Sequence, residues 1–194
     1  MHGLVNRSLQ CFLRDTYGSD LWCRIAEEAG IDSVGFEALL MYDDAITDHL
    51  IDASIKWLGK PRDALLEDLG IYLARLEAPR RLLRFGGVDF VDFLQSLDEL
   101  PERVHLAVPD LEIPELRLSS IGGGRFTLEC KGRMPGFGSV FAGVLRAMAD
   151  DYGALALIDL AQTASASELI QIELLEMEFA SGRHFELALP ERGA

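Results

Sequence analysis

The sequence has few cysteines, and none of them are closely paired. Cys11, Cys23 and Cys130 are the three, and no two have the Cys-x-x-Cys spacing. A disulfide framework needs an even set, and a structural zinc site needs closely spaced pairs. The sequence therefore predicts neither.

Long apolar runs and a secretory leader are also missing. No apolar stretch approaches the roughly 20 residues that span a bilayer. Met1-His2-Gly3 leads directly into a polar pattern, without the charged and then apolar segments of a signal peptide. We therefore expect a soluble, cytoplasmic protein with no membrane partner.

Basic residues are scarce. The chain has 18 Lys and Arg against 32 Asp and Glu, a formal net charge of −14. A charge of this sign repels phosphate-rich nucleic acid and anionic membranes, so both are excluded as partners. It suits a basic patch on a partner protein.

A length of 194 residues predicts one domain, residues 1–194, large enough to enclose a core or a pocket. The first part has helical periodicity. A first helix ends at Tyr17-Gly18, and Ser19 is expected to cap a second that ends at Gly30. A third runs from Tyr42 to Gly59. Pro61 opens a fourth, which is expected to reach Pro79.

The segment 81–114 carries the most distinctive pattern. After Gly86-Gly87, one face of a helix carries five apolar residues at steps of three and four: Phe90, Phe93, Leu94, Leu97 and Leu100. Pro101 follows, and because proline cannot continue the hydrogen bonding, the helix is expected to kink or restart near Leu97. His105 lies one turn further on.

After Pro114 the period changes to two. Leu116 and Leu118 alternate with polar residues, and Phe126, Leu128 and Cys130 alternate again after a glycine-rich turn, which predicts an antiparallel hairpin. Further strands are predicted at 155–160, 169–179 and 184–189. In the second of these the apolar positions change parity after Leu174, which indicates a bulge or a strong bend.

The Gly136-Phe137-Gly138 segment looks superficially like a phosphate loop. It lacks the Gly-Lys-Ser/Thr ending, so it is better explained as the turn before a helix with apolar residues at Phe141 and Val144.

The segment 81–114 resembles the haem–nitric oxide/oxygen binding (H-NOX) family. Leu82 to Gly86, the apolar stripe and Asp98 match the family's segment without a gap, and Pro109 and Pro114 fall at its two prolines. The chain's start is also similar, through Tyr17-Gly18, Trp22 and Glu27 to Gly30. The resemblance implies an α+β fold, with a helical part over about 1–112, a C-terminal antiparallel sheet with packed helices over about 113–190, and a pocket between them.

The resemblance also implies positions around a haem. Val5 and Leu9 on the first helix would face a bound ligand, although the sequence alone favours ordinary core for each residue taken singly. Pro101 occupies the position of the family's proximal histidine, and proline offers iron no donor.

A second set of positions departs from the family. Its Tyr-x-Ser-x-Arg motif grips the haem propionates, and the matching residues here are Glu129, Lys131 and Arg133. Arg133 could hold a carboxylate bidentately and Lys131 adds a positive charge, whereas Glu129 would repel a propionate. The alternative is a solvated strand face with cross-paired charges.

Two functional hypotheses follow. In one, His105 replaces the missing histidine as metal ligand of a haem-based NO or O2 sensor. A shift of one turn moves the donor about 5.4 Å, which a metal–nitrogen bond of about 2 Å absorbs only if the helix is redirected at Pro101.

The favoured hypothesis is a sensory or regulatory domain with a degenerate haem site. Haem would be absent or not bound in the family's usual way, and an internal pocket could take another small molecule or none. By resemblance the partner is a signalling protein such as a histidine kinase, a guanylate cyclase or a cyclic-di-nucleotide enzyme. An enzyme is disfavoured because no nucleophile is paired with a base.

Overall fold

A computed structural model describes residues 1–161 and 167–176. The helices are α1 Gly3–Tyr17, α2 Ser19–Glu28, α3 Asp44–Leu58, α4 Arg62–Arg75, α5 Glu77–Arg84, α6 Phe90–Gln95, α7 Leu100–Ala107 and α8 Phe137–Tyr152. The strands are β1 Glu115–Gly122, β2 Arg125–Lys131, β3 Leu155–Ala161 and β4 Glu168–Glu176. They form one antiparallel sheet in the order β1-β2-β4-β3. The α+β class expected from the sequence is confirmed.

The helix boundaries follow the sequence signals, with three corrections. Gly18 and Gly59 end α1 and α3 with positive φ of 92° and 62°, as predicted. Ser19 is the first residue of α2 rather than its cap, which is Gly18. Pro61 precedes α4 instead of opening it.

The third correction concerns Pro79. The fourth helix ends at Arg75, because the backbone at Leu76 is extended, with ψ of 140°. Pro79 lies in the first turn of α5 instead of ending α4. Proline is tolerated there because the first-turn N–H groups have no partner within the helix.

The expected interruption before Pro101 is confirmed. A 3-10 helix over Ser96–Glu99 separates α6 from α7. The helix α7 then begins at Leu100, with Pro101 in its first turn. Leu97 stays buried through the interruption, so the apolar stripe continues although the helix does not.

Two apolar clusters form the core. One packs α1 to α4 around Leu9, Phe12 and Ile25. The other joins α5 to α8 to the sheet, around Phe93 and Leu128. Most of the long-range helix packing between them comes from α4 against α8.

Two glycines allow α4 and α8 to approach closely. A Cβ on Gly70 would lie against the carbonyl oxygen of Val140, and a Cβ on Gly143 would lie against that of Glu67. Both contacts are with backbone of the opposite helix, which cannot move aside as a side chain can. The crossing therefore depends on the absence of a side chain at these two positions.

The predicted hairpin is confirmed. The strands β1 and β2 pair from Glu115 with Lys131 to Gly122 with Arg125, and Gly122, Gly123 and Gly124 at the turn all have positive φ. The inward face of β2 carries Phe126, Leu128 and Cys130, which are all buried.

The predicted bulge in β4 is confirmed as well. Leu155 of β3 pairs with Glu176 and Ala156 pairs with Leu174, so Leu175 has no partner in β3. The predicted strand 184–189, and the part of 169–179 beyond residue 176, lie outside the described residues. A single domain over 1–194 stays a prediction.

No helix within residues 1–161 and 167–176 combines the length and apolarity that crossing a membrane requires.

The α4–α8 crossing generates a stability prediction. We expect Gly70→Ala and Gly143→Ala each to destabilise the protein by about 1–3 kcal/mol, because the added methyl must push two backbones apart. Helix propensity alone would give the opposite sign, a gain of about 1 kcal/mol. Urea unfolding measures the change, with Asp150→Ala on the exposed face of α8 as control. Unchanged or increased stability would show that the two helices do not touch as described.

Candidate functional site

The helix α7 places Pro101 and His105 along one groove. Pro101 is half-buried in the first turn, and His105 lies exposed one turn later. The groove has a volume of about 650 Å³, and its other lining residues are His2, Leu39, Met41, Pro109, Asp110, Leu111, Glu112 and Ile113. A volume of this size is in the range of ligand sites.

The chemistry of position 101 rules out iron ligation there. Haem iron takes nitrogen, sulfur or phenolate oxygen donors, and the proline ring has none. Pro101 therefore cannot make the iron bond that the resemblance implies at this position. Separately, no group of three or more His, Cys, Asp and Glu residues across the described ranges is placed to hold a metal ion.

The two positions on α1 differ in burial. Leu9 is buried, with 2% of its surface exposed, and packs in the N-terminal cluster. Val5 is only half-buried. Their assignment as ligand-facing residues stays a prediction.

The charged residues of β2 lie on the face opposite its buried side chains. Glu129 is directly across from Arg117, and Lys131 is directly across from Glu115. Opposite charges at such cross-strand positions attract, and Lys131 contributes to lowering the pKa of the Glu115 carboxyl, after the hydrogen bond and charge of Arg117. The strand pairing therefore gives these residues the geometry of a solvated strand face with cross-paired charges, which was one of the two alternatives that the sequence offered.

Arg133 contacts a carboxylate of the protein itself. Its Nη2 lies 3.0 Å from Oδ2 of Asp44, at the start of α3. The other Asp44 oxygen, Oδ1, accepts a 2.6 Å bond from the Met1 ammonium group. That hydrogen bond is the main reason why the pKa of Asp44 is lowered, with the charge of Arg133 adding a smaller effect.

This cluster borders a small cavity between the helical part and the sheet. The cavity has a volume of about 110 Å³ and is lined by Met1, His2, Met41, Asp44, Asp110, Glu112, Ile113, Pro114, Lys131, Gly132, Arg133, Met134 and Phe137. Pro114 is buried. Lys131, Arg133 and Pro114 thus lie together, but around a space smaller than the roughly 300 Å³ at which ligand pockets begin.

The glycine segment before α8 is a helix start, as predicted. The N–H groups of Gly136 and Gly138 donate to the Glu168 carboxylate, with distances of 3.0 and 3.1 Å from Gly136 and 3.0 Å from Gly138. A helix N-terminus attracts an anion, and here a side chain of β4 supplies it.

Sequence reasoning missed several of these polar residues. Asp43 caps α3 by accepting from Ala45 N–H at 3.0 Å, and no local signal shows that Asp44 beside it contacts Arg133. The partnership of Glu168 with α8 spans some 30 residues, and no local signal marks it. Cys130 was treated as a strand residue, and its burial raises the pKa of the thiol to about 12, so it is an inert core residue.

Solved structures of other proteins share this architecture. The Fe(II) unliganded H-NOX protein from K. algicida superposes with a TM-score of 0.79 at 15% identity, covering 92% of this chain and 99% of that one. An H-NOX protein from S. oneidensis in the Fe(II)NO state gives 0.73 at 16% identity, covering 91% and 100%. The fold is that of H-NOX domains.

The sequence profile of the Haem-NO-binding family, HNOB, matches residues 2–158. The chain belongs to this family, which confirms the resemblance seen in segment 81–114.

Curated relatives include soluble guanylate cyclase gcy-31 of Caenorhabditis elegans, 25% identical over 177 residues, covering 89% of this chain and 24% of that protein. Soluble guanylate cyclase 89Da of Drosophila melanogaster is 23% identical over 124 residues, covering 62% and 19%. The chain spans a quarter or less of the length of these relatives.

The cluster around Asp44 generates a pH prediction. We expect Asp44→Asn to lower Tm at pH 7, because the variant removes the negative charge that Arg133 and the Met1 ammonium share and leaves one acceptor oxygen in place of two. The folded pKa lies below the ordinary 3.8, so the stabilisation is present above about pH 4 and is lost as pH falls through the lowered pKa.

Thermal unfolding of both proteins between pH 3 and pH 8 measures this difference. Glu27→Gln, at an exposed position on α2, is the control for loss of one negative charge. A Tm difference that persists unchanged at the lowest pH, or none at pH 7, would contradict the arrangement.

Proposed function

We propose that this chain is a regulatory H-NOX domain whose haem site is degenerate and which acts through contact with a signalling partner. The observation that carries the proposal is Pro101. It occupies the position at which the family's segment carries its iron ligand, and it has no atom that can donate to a metal.

A second observation, independent of Pro101, supports the loss of haem. Arg133 is the one residue of its set that keeps the guanidinium suited to a propionate, and it contacts Asp44 at 3.0 Å. A cofactor carboxylate would have to displace that partner or share it. Glu129, on β2, adds a negative charge at another position of the same motif, which disfavours a propionate further.

For the partner, we propose only a class of protein. The curated relatives are named soluble guanylate cyclases, and this chain matches only a fraction of each. We infer a role in signalling through a separate effector, of the histidine kinase, guanylate cyclase or cyclic-di-nucleotide enzyme type, with this domain itself not catalytic.

One observation favours a second candidate, a haem-based NO or O2 sensor with His105 as ligand. His105 lines the same groove as Pro101 and His2, and the groove's volume suits a ligand. Against it, the His105 side chain is exposed, whereas a haem ligand must reach into an enclosed apolar site.

The two candidates differ in absorbance. We expect protein purified after expression with a haem precursor to be colourless, with no Soret band and less than a tenth of an equivalent of haem, since position 101 supplies no donor. Pyridine haemochromogen analysis measures the haem content directly. An H-NOX protein that retains its histidine, expressed in parallel, controls for haem supply.

A Soret band with one equivalent of haem would contradict the proposal. If that band disappeared in His105→Ala but survived in His49→Ala, an exposed histidine on α3, the substituted-ligand sensor would be established instead.

A further inference from the structure

We infer that the groove beside α7 is the docking site for a segment of the signalling partner that carries apolar side chains next to lysine or arginine. This inference rests on the proposed function, since it assigns the partner's contact surface. We call the site the α7 groove and define it by Leu39, Met41, Pro101, Pro109, Glu112 and Ile113.

The loop that forms one wall of the groove is held in place through its backbone. Leu40 C=O accepts from Gly3 N–H at 2.7 Å, and Tyr42 N–H donates to Met1 C=O at 2.9 Å. The Tyr42 hydroxyl accepts from Glu37 N–H at 2.9 Å. The loop's start is fixed as well, because Phe36 is buried.

That fixed backbone presents apolar side chains to solvent. Leu39 is 86% exposed, Leu40 is 55% exposed and Met41 is 66% exposed. Leu106, which follows the lining residue His105 on α7, is 84% exposed. Single exposed apolar residues are ordinary, but a contiguous set beside a groove marks an interaction surface.

The negative charge around the groove favours an occupant with basic side chains. Asp110 and Glu112 line it, and no lysine or arginine does. The nearby cations of the adjoining cavity are engaged, since Arg133 and the Met1 ammonium contact Asp44 and Lys131 lies across from Glu115.

A second copy of this chain fits the groove less well than a basic partner. Each copy carries a net charge of −14, so two copies repel each other as they approach. A segment with lysine or arginine beside its apolar residues would meet Asp110 and Glu112 with complementary charge, which favours both encounter and orientation.

The test uses the full chain and a defined probe. The probe is a fluorescein-labelled synthetic peptide of leucine and lysine, with the leucines three and four positions apart so that they share one face. Fluorescence anisotropy measures its affinity. We expect the double variant Leu39→Ser/Met41→Ser to bind about tenfold more weakly or worse, and Glu112→Gln to weaken binding and its dependence on salt.

Matched controls separate this groove from general attraction to an acidic protein. Val34→Ser changes an 86% exposed apolar residue of the same loop, and Leu155→Ser changes a 56% exposed one on β3. Both lie outside the groove and should bind the probe as the parent does. A peptide with glutamate in place of lysine should not bind. Circular dichroism verifies that each variant is folded.

Three results would overturn the inference: no binding by the parent, equal binding by all variants, or a dimer in sedimentation that Leu39→Ser/Met41→Ser dissociates. The last would assign the groove to a second copy. The absorbance spectrum of the same preparation tests the proposed function separately, because haem content does not depend on the peptide.

Discussion

The structure depends most on one chemical constraint, that proline offers neither a metal donor nor a backbone N–H. In this chain Pro101 stands in the segment that otherwise matches the family without a gap. The missing N–H is tolerated because α7 restarts at Leu100 and places Pro101 in its first turn. Pro101 itself supplies no donor, and the next imidazole along α7, that of His105, is exposed.

Carboxylates of the protein itself contact two groups that could superficially be taken for sites of an external anion. Arg133, expected to hold a carboxylate, contacts Asp44. The N–H groups of Gly136 and Gly138, which look superficially like a phosphate loop, donate to Glu168. Both contacts join elements far apart in the chain, so the anions that these groups contact come from the protein itself.

Much of the fold could be predicted from the sequence because the signals are local. Gly18 and Gly59 mark helix ends through their own backbone conformation, and the parity change after Leu174 marks the bulge at Leu175. The prediction went wrong at Pro79, where proline fits a first turn as well as it ends a helix. Local rules do not decide between those two outcomes.

The site was less predictable, since its contacts are not local. Asp44 and Arg133 lie far apart in the sequence, and the close approach of α4 and α8 at Gly70 and Gly143 is visible only once both helices are placed. The family resemblance identified which positions correspond to the haem site. It did not supply their present partners, because Asp44 is not part of the motifs that carry the resemblance.

The central claim is that the chain no longer has a place for haem iron at position 101 and does not replace it. The most direct measurement is a titration of haemin into the purified protein, followed by absorbance in the Soret region. The account predicts a weak, unsaturable increase like that given by a protein without a haem site. A sharp Soret band that saturates at one equivalent would contradict it.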